Sequence, residues 1–340
     1  MTLYAVDAID DALDATRAFL WPCDRGRWAR LALVALFVGG GGGFSPLQFP
    51  GSTPSGPGSG TGPPGMPGPD ALPSVGGAEL AAIVGVVAVV VLFALGFALV
   101  GAVMEFVLVE SLRQEAVGLR RYWREHWRRG VRLFGFRIGL GLLTLGVAGL
   151  LAALFFAPVL LGEGGGLSVA LLALVIPAFL LVAVVSGIVG GFTTVFVVPI
   201  MLLEERGLLA AWRRFWPTMT GQWRQYAAYA VLGWVLQLVA GIAAGVATLL
   251  AALVIAIPLG VVGLVGAGLL AVVEVAGWAV IAVAALLFVL ALAALSLLVA
   301  VPVRTFLRYY ALFVLGDTNE AFDVIPERRR AVRESTASDG

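Results

Sequence analysis

The chain has 340 residues, 60% of them hydrophobic and 13% charged, with a net charge of +1 and a mean hydropathy of +1.00. Soluble globular domains average about 45–50% apolar and about 25% charged residues, so an excess of this size requires the bilayer as part of the solvent. All 22 basic residues are Arg, and Cys23, His126 and Asn319 are the sole residues of their types; a Schiff-base or phosphate-binding lysine, an internal disulfide, a multi-histidine metal site and a glycosylation sequon are thereby excluded, and no cofactor is implied.

The first residues carry Asp7, Asp10, Asp11 and Asp14, where a signal peptide would be basic. Apolar segments follow at 29–44, 79–109, 131–161, 167–203, 225–257 and 259–303. A helix crosses a hydrocarbon core of about 30 Å with about 20 residues, so the first is marginal and most of the others are longer than a crossing needs, which implies tilt or protrusion. Pro177 is a candidate break in the fourth. In the last, the glycines at 260, 263, 266 and 268 and the lone Glu274 predict a re-entrant or irregular first third after a turn near Pro258. Residues 45–77 contain nine Gly and nine Pro and read as a disordered external loop.

Every Arg falls in 1–30, 111–137, 204–224 or 304–333, while the alternate connections hold none. Loops rich in Arg stay in the cytoplasm, and six spans in the plasma membrane with both termini cytoplasmic satisfy that rule throughout. The predicted domain is 1–316, followed by a short cytoplasmic tail, 317–340.

An internal repeat runs through it, with units at about 4–109, 110–203 and 204–303. Trp21–Trp28 (WPCDRGRW) reappears as Trp216–Trp223 (WPTMTGQW), and Arg120-Arg121-Tyr122-Trp123 is a looser third copy of Arg213-Arg214-Phe215-Trp216. Each copy precedes a pair of spans, so each unit reads as an amphipathic interfacial helix, an aromatic elbow and a transmembrane hairpin. Apolar stripes at helical spacing support this: Val6, Ile9, Leu13 and Leu20; Leu112, Ala116, Leu119, Trp123 and Trp127; Leu208, Trp212 and Phe215. The proline of the elbow is expected to end the flat helix.

The run VVPIMLLEERGLLAAWRRFWPTMTGQWRQY (197–226) resembles an element of the glycerophosphoryl diester phosphodiesterase membrane-domain superfamily. The opening DAIDDALDATRAFLWP and the closing LRYYALFVLGD and IPERR are similar to an uncharacterised haloarchaeal six-pass family. The resemblance implies an all-α, six-pass membrane module. It does not imply phosphodiesterase chemistry, which in that superfamily belongs to a separate soluble barrel.

Candidate residues follow from this frame. The segment 111–137 carries a net charge of +6; beside a span, Arg120, Arg121, Arg124 and Arg128, with Arg213 and Arg214 in the matching unit, read as contacts for anionic headgroups rather than for nucleic acid. Glu110 and Glu204 end corresponding spans and are expected to pair locally, Glu204 with Arg206. Glu274 reads as an outer-interface residue, the alternative being an ion path, and His126 as an interfacial aromatic. Gly135/Gly139, Gly187/Gly191 and Gly241/Gly245 are small-xxx-small pairs for helix packing or a homo-oligomer face. The function these features favour is a non-enzymatic membrane scaffold contacting anionic lipid or a protein partner; a transporter or channel for a small or lipid-like solute is the alternative.

Overall fold

The computed structural model describes residues 4–21, 24–40, 77–160 and 166–339, and among these all regular structure is helical. In chain order the helices are α1 (Tyr4–Leu20), α2 (Arg25–Gly40), α3 (Gly77–Arg113), α4 (Leu119–Leu160), α5 (Gly166–Phe192), α6 (Val198–Leu203), α7 (Leu208–Gly221), α8 (Trp223–Leu269), α9 (Glu274–Thr318) and α10 (Pro326–Asp339). A π-helical turn, Thr193–Val197, joins α5 to α6, and a 3₁₀ turn, Glu320–Phe322, lies between α9 and α10. Among the described residues five helical stretches are long and apolar enough to cross a membrane: Gly77–Arg113, Leu119–Phe156, Ala173–Leu203, Trp223–Leu269 and Glu274–Thr318. The predicted loop 45–77 lies outside the described residues except for Gly77.

The chain divides into two compact units. One comprises Gly40–Ala102 and Leu133–Phe192. Its helices expose large apolar side chains: Val89, Phe93 and Leu150 are 67, 75 and 71% exposed. Water would not tolerate so continuous an apolar surface, whereas lipid does. Inside this unit the Thr144 hydroxyl donates to Leu140 O at 2.8 Å and meets Ser186 Oγ at 2.8 Å, so these polar groups are satisfied by neighbouring helix.

The other unit comprises Met1–Gly39, Val103–Arg132 and Thr193–Gly340. Here α8 and α9 form a long hairpin whose apolar stretches are also exposed, but α9 changes character at Val301. From there to Thr318 it is largely enclosed by protein, with Tyr309, Tyr310, Phe313, Val314 and Leu315 completely buried. The excess length seen in the sequence is thus explained for α9: Glu274 to Ala300 spans about 40 Å at 1.5 Å per residue, and the rest is core.

Helix α1 packs on that part of α9 through Ala5, Ala8, Ala12 and Ala15, all fully buried. This differs from the expected stripe, since Val6 and Leu13 are 48 and 40% exposed. The reason is steric: alanines at helical spacing let two backbones approach closely, and Tyr310 Oη donates to Ala5 O at 3.0 Å across the contact. An aromatic cluster lines the other side of α9. Phe196 of the π-turn stacks on Phe215 at 5.5 Å and meets Tyr229 edge-on at 4.8 Å, and Tyr229 stacks on Tyr310 at 5.1 Å.

The expected tail is a folded element. Arg329 donates to Phe313 O at 3.1 Å and pairs with Asp317 at 2.9 Å, and Arg333 joins Asp317 at 2.9 Å to Asp11 of α1 at 3.0 Å. Burial would lower the Arg333 pKa, but the hydrogen bond to Asp11 and the charge of Asp317 reverse this and hold it above its ordinary value.

Four expected breaks move. Helix α5 runs through Pro177, and the interruption comes at Thr193–Val197, before Pro199. Helix α8 runs through Pro258, and the hairpin turns at 270–273, so 259–269 extends α8 and is not re-entrant. Pro217 sits inside α7, which ends at Gly221 with Gln222 outside helical geometry (φ −122°, ψ 35°). The third copy has no elbow, because 119–160 is one helix.

Candidate anionic-headgroup site

The N-terminal turns of α4 build the site. Their buried face is Tyr122, His126, Gly130 and Leu133, at helical spacing. Gly130 is required here, because a Cβ would strike Val103 of α3, backbone included. Tyr122 Oη donates to Gln114 Oε1 at 2.7 Å. His126 is 2% exposed, edge-on to Phe106 at 6.2 Å, and is therefore a core side chain instead of an interfacial one. The predicted stripe is rotated by one position: Trp123 is half-buried, Trp127 is 39% exposed, and their rings lie 5.4 Å apart.

This rotation sets the tryptophans beside the arginines. Arg120, Arg121 and Arg124 line one open concavity of about 1000 Å³ together with Trp123, Met104 and Leu119, with Glu125 at its edge. Arg128 is exposed one turn further along the same helix. None of these four guanidinium groups has an ion pair or hydrogen bond to a described residue. Cations beside an amphipathic indole and an apolar wall form a surface that accepts a phosphate while the ring sits at headgroup depth.

The matching arginines of α7 are placed differently. Arg213 is exposed, whereas Arg214 pairs with Glu204 at 3.4 Å and lies 5.8 Å above the Phe322 ring. Glu204 also takes Arg206 at 3.1 Å, so it holds two guanidinium groups where one was expected. Glu110, 5% exposed, pairs with Arg113 at 3.7 Å and accepts from Gln114 Nε2. These carboxylates fasten the connections after α3 and α6. Both connections carry a Glu in the left-handed region, Glu115 (φ 51°) and Glu205 (φ 54°), followed within three residues by a glycine and the next helix. Glu205 in turn pairs with Arg129 at 3.0 Å, and Glu115 with Arg328 at 3.3 Å. The first connection is closed by Asp24, whose carboxylate accepts from the amides of Gly26 and Arg27 at 3.1 and 3.3 Å, and by Arg27, which donates to Phe19 O at 2.8 Å.

One charged pair was not anticipated. Glu105 of α3 and Arg308 of α9 meet at 2.8 Å with side chains only 4 and 6% exposed, and Arg308 also donates to Thr194 O of the π-turn at 2.8 Å. Next to it Trp212 Nε1 donates to Thr193 Oγ1 at 3.0 Å. The signal was available, since Glu105 is an ionisable residue inside an apolar run, but its partner lies 203 positions away.

A Cβ at Gly135, Gly139, Gly191, Gly241 or Gly245 would meet nothing within 4 Å, so these five do not mark close packing within the chain, whereas Gly187 is buried. Glu274 is exposed in the first turn of α9, where a carboxylate favours the helix N-terminus. Among the described residues no group of three or more His, Cys, Asp or Glu side chains could hold a metal ion.

No curated protein and no solved structure matches the chain. A family model does, over residues 3–325, and the chain belongs to that family, the family of unknown function DUF7544.

Proposed function

We propose that the protein is a non-enzymatic scaffold of the plasma membrane, with six spans and both termini in the cytoplasm, whose Arg-rich end gathers anionic lipid headgroups. The observation that carries this reading is the set of unpaired guanidinium groups at Arg120, Arg121 and Arg124 around one concavity with Trp123. Most other arginines near the helix ends are spent on carboxylates or backbone carbonyls. The satisfied hydroxyls of Thr144 and Ser296, each bonded within its own helix, fit a structural bundle. The resemblance to the phosphodiesterase-associated membrane domains and to a haloarchaeal six-pass family belongs to the same proposal, as do the three-unit repeat and a homo-oligomeric or hetero-protein partner.

Reconstitution in mixed vesicles with spin-labelled phosphatidylglycerol or phosphatidylcholine tests it. Phosphatidylglycerol is expected in excess at the protein boundary. That excess should fall as salt shortens the screening length from about 30 Å at 0.01 M to about 10 Å at 0.1 M. It should drop severalfold in the R120A/R121A/R124A variant. An unchanged preference in the variant sinks the reading. The transport alternative draws on Gln237, Thr248 and Ser296, which line a groove between α8 and α9; solute flux in proteoliposomes is its test.

A further inference from the structure

The groove between α8 and α9 has a volume of about 640 Å³ and opens on the exposed face of the hairpin. Its floor is made of small residues, among them Ala240, Gly241, Ala244 and Gly245, and its far end of Leu249, Ala252 and Leu292. Thr248, Gln237 and Ser296 lie along it, and Arg304 stands at its inner end.

Arg304 poses a charge problem. It and Arg308 lie one helical turn apart on α9, and the carboxylate between these elements is Glu105. Arg308 holds that carboxylate at 2.8 Å. Arg304 feels the charge of Glu105 but has no ion pair or hydrogen bond to a described residue. Its Nη1 is enclosed and unpartnered beside a void of about 10 Å³, too small for a phosphate, and the same side chain also lines the groove. Two guanidinium groups and one carboxylate leave one positive charge at the inner end of an apolar trough. An Arg without a counter-charge beside an apolar stretch is costly and pairs with an anion where one can reach it, so an anion belongs there.

We infer that the groove binds one anionic phospholipid, its phosphate on Arg304 and one acyl chain along the small-residue floor. From Arg304 to Leu292 α9 rises about 18 Å, a little more than the roughly 15 Å half-thickness of the hydrocarbon core. The occupant is a lipid and not a free anion because the trough beyond Arg304 is apolar and open along its side. A Cβ at Gly241 or Gly245 would meet nothing within 4 Å, so the floor leaves room for an acyl chain. This site is separate from the surface of α4 and stands without it.

The test is native mass spectrometry of the full-length protein, purified in detergent and exposed to phosphatidylglycerol, to phosphatidylcholine with the same chains, or to inorganic phosphate. Wild type is expected to retain one phosphatidylglycerol per chain at least tenfold over phosphatidylcholine, with phosphate unable to displace it. R304Q removes the charge, and G245L fills the trough without a backbone clash, because a Cβ there meets nothing. Each should lower retention at least tenfold, while R330A, which removes an exposed Arg elsewhere, should not. If R304Q fails to elute as a folded species, G245L decides alone. Retention unchanged in G245L, no retained lipid in wild type, equal retention of both lipids, or displacement by phosphate overturns the inference.

Discussion

The Glu105–Arg308 pair couples three segments that are far apart in sequence, because Arg308 also holds the carbonyl of Thr194. Removing one partner of a buried pair leaves an uncompensated charge and costs about 3–5 kcal/mol, whereas replacing both by apolar residues of similar volume is often neutral or stabilising. E105Q is therefore expected to lower the unfolding temperature in detergent micelles strongly, and E105L/R308M to recover much of the loss. Thermal unfolding of wild type, both single variants and the double variant checks this; a silent E105Q would show that the pair does not hold the fold. Glu205 makes the opposite case. Its φ of 54° costs a residue with a Cβ about 1–2 kcal/mol, and its pair with Arg129 is made by a side chain 80% exposed, worth about 0–1 kcal/mol. E205G should then be slightly more stable than wild type and E205A slightly less stable, an ordering that the same melting experiment reads. Glu105 is visible in the sequence as a charge inside an apolar run, but its partner 203 positions away leaves no local pattern, and the left-handed backbone of Glu205 has no signature because the residue is not a glycine.

Helix identities were legible and helix breaks were not. Pro177, Pro217 and Pro258 each lie inside a helix. Proline breaks helices in water because the freed carbonyl is solvated and alternatives compete; in an apolar surround every backbone group must stay bonded internally, so at Pro177 and Pro258 the helix persists and absorbs the ring, while Pro217 lies in α7, outside the long apolar stretches. The turn at 270–273 carries no proline, and Gly266 and Gly277 flank it because a Cβ at Gly277 would run into Leu270 and the Gly266 carbonyl. The rotation of the α1 and α4 faces has a related origin. Hydropathy weighs Val6, Leu13 and Trp127 as core, but lipid accepts them outside, while alanines and Gly130 take the protein contact. At the end of the chain, α10 contributes Arg329 and Arg333 to α9 and α1. Deleting residues 326–340 removes both and exposes the charged side of α1, so trypsin should cut after Arg17 at least severalfold faster than in the full chain. Equal cleavage rates would mean that α10 leaves α1 as it finds it.

At the scale of the whole molecule, the proposed six-span reading needs α2, of 16 residues, as a crossing beside the five long apolar stretches. Helix α1 lies against the inner end of α9, through Tyr310 on Ala5 and Arg333 on Asp11. The C-terminal end of α3 lies there too, with Tyr309 Oη donating to Leu112 O at 3.5 Å. Helix α3 has 37 residues and rises about 55 Å. In the proposed reading α2 carries the chain across before α3 returns it. The proposed reading puts the α1 side in the cytoplasm, as the arginine distribution leads one to expect. Single cysteines in a C23S background then have fixed fates with a membrane-impermeant maleimide. Val272→Cys, at a turn position 81% exposed, should be labelled in intact cells. Tyr4→Cys and Thr220→Cys should react only after permeabilisation, and with each other's pattern. Labelling of position 4 from outside while 220 stays protected would leave five crossings and overturn the six-span reading; labelling of 220 from outside would invert the molecule and remove the cytoplasmic lipid surface from α4.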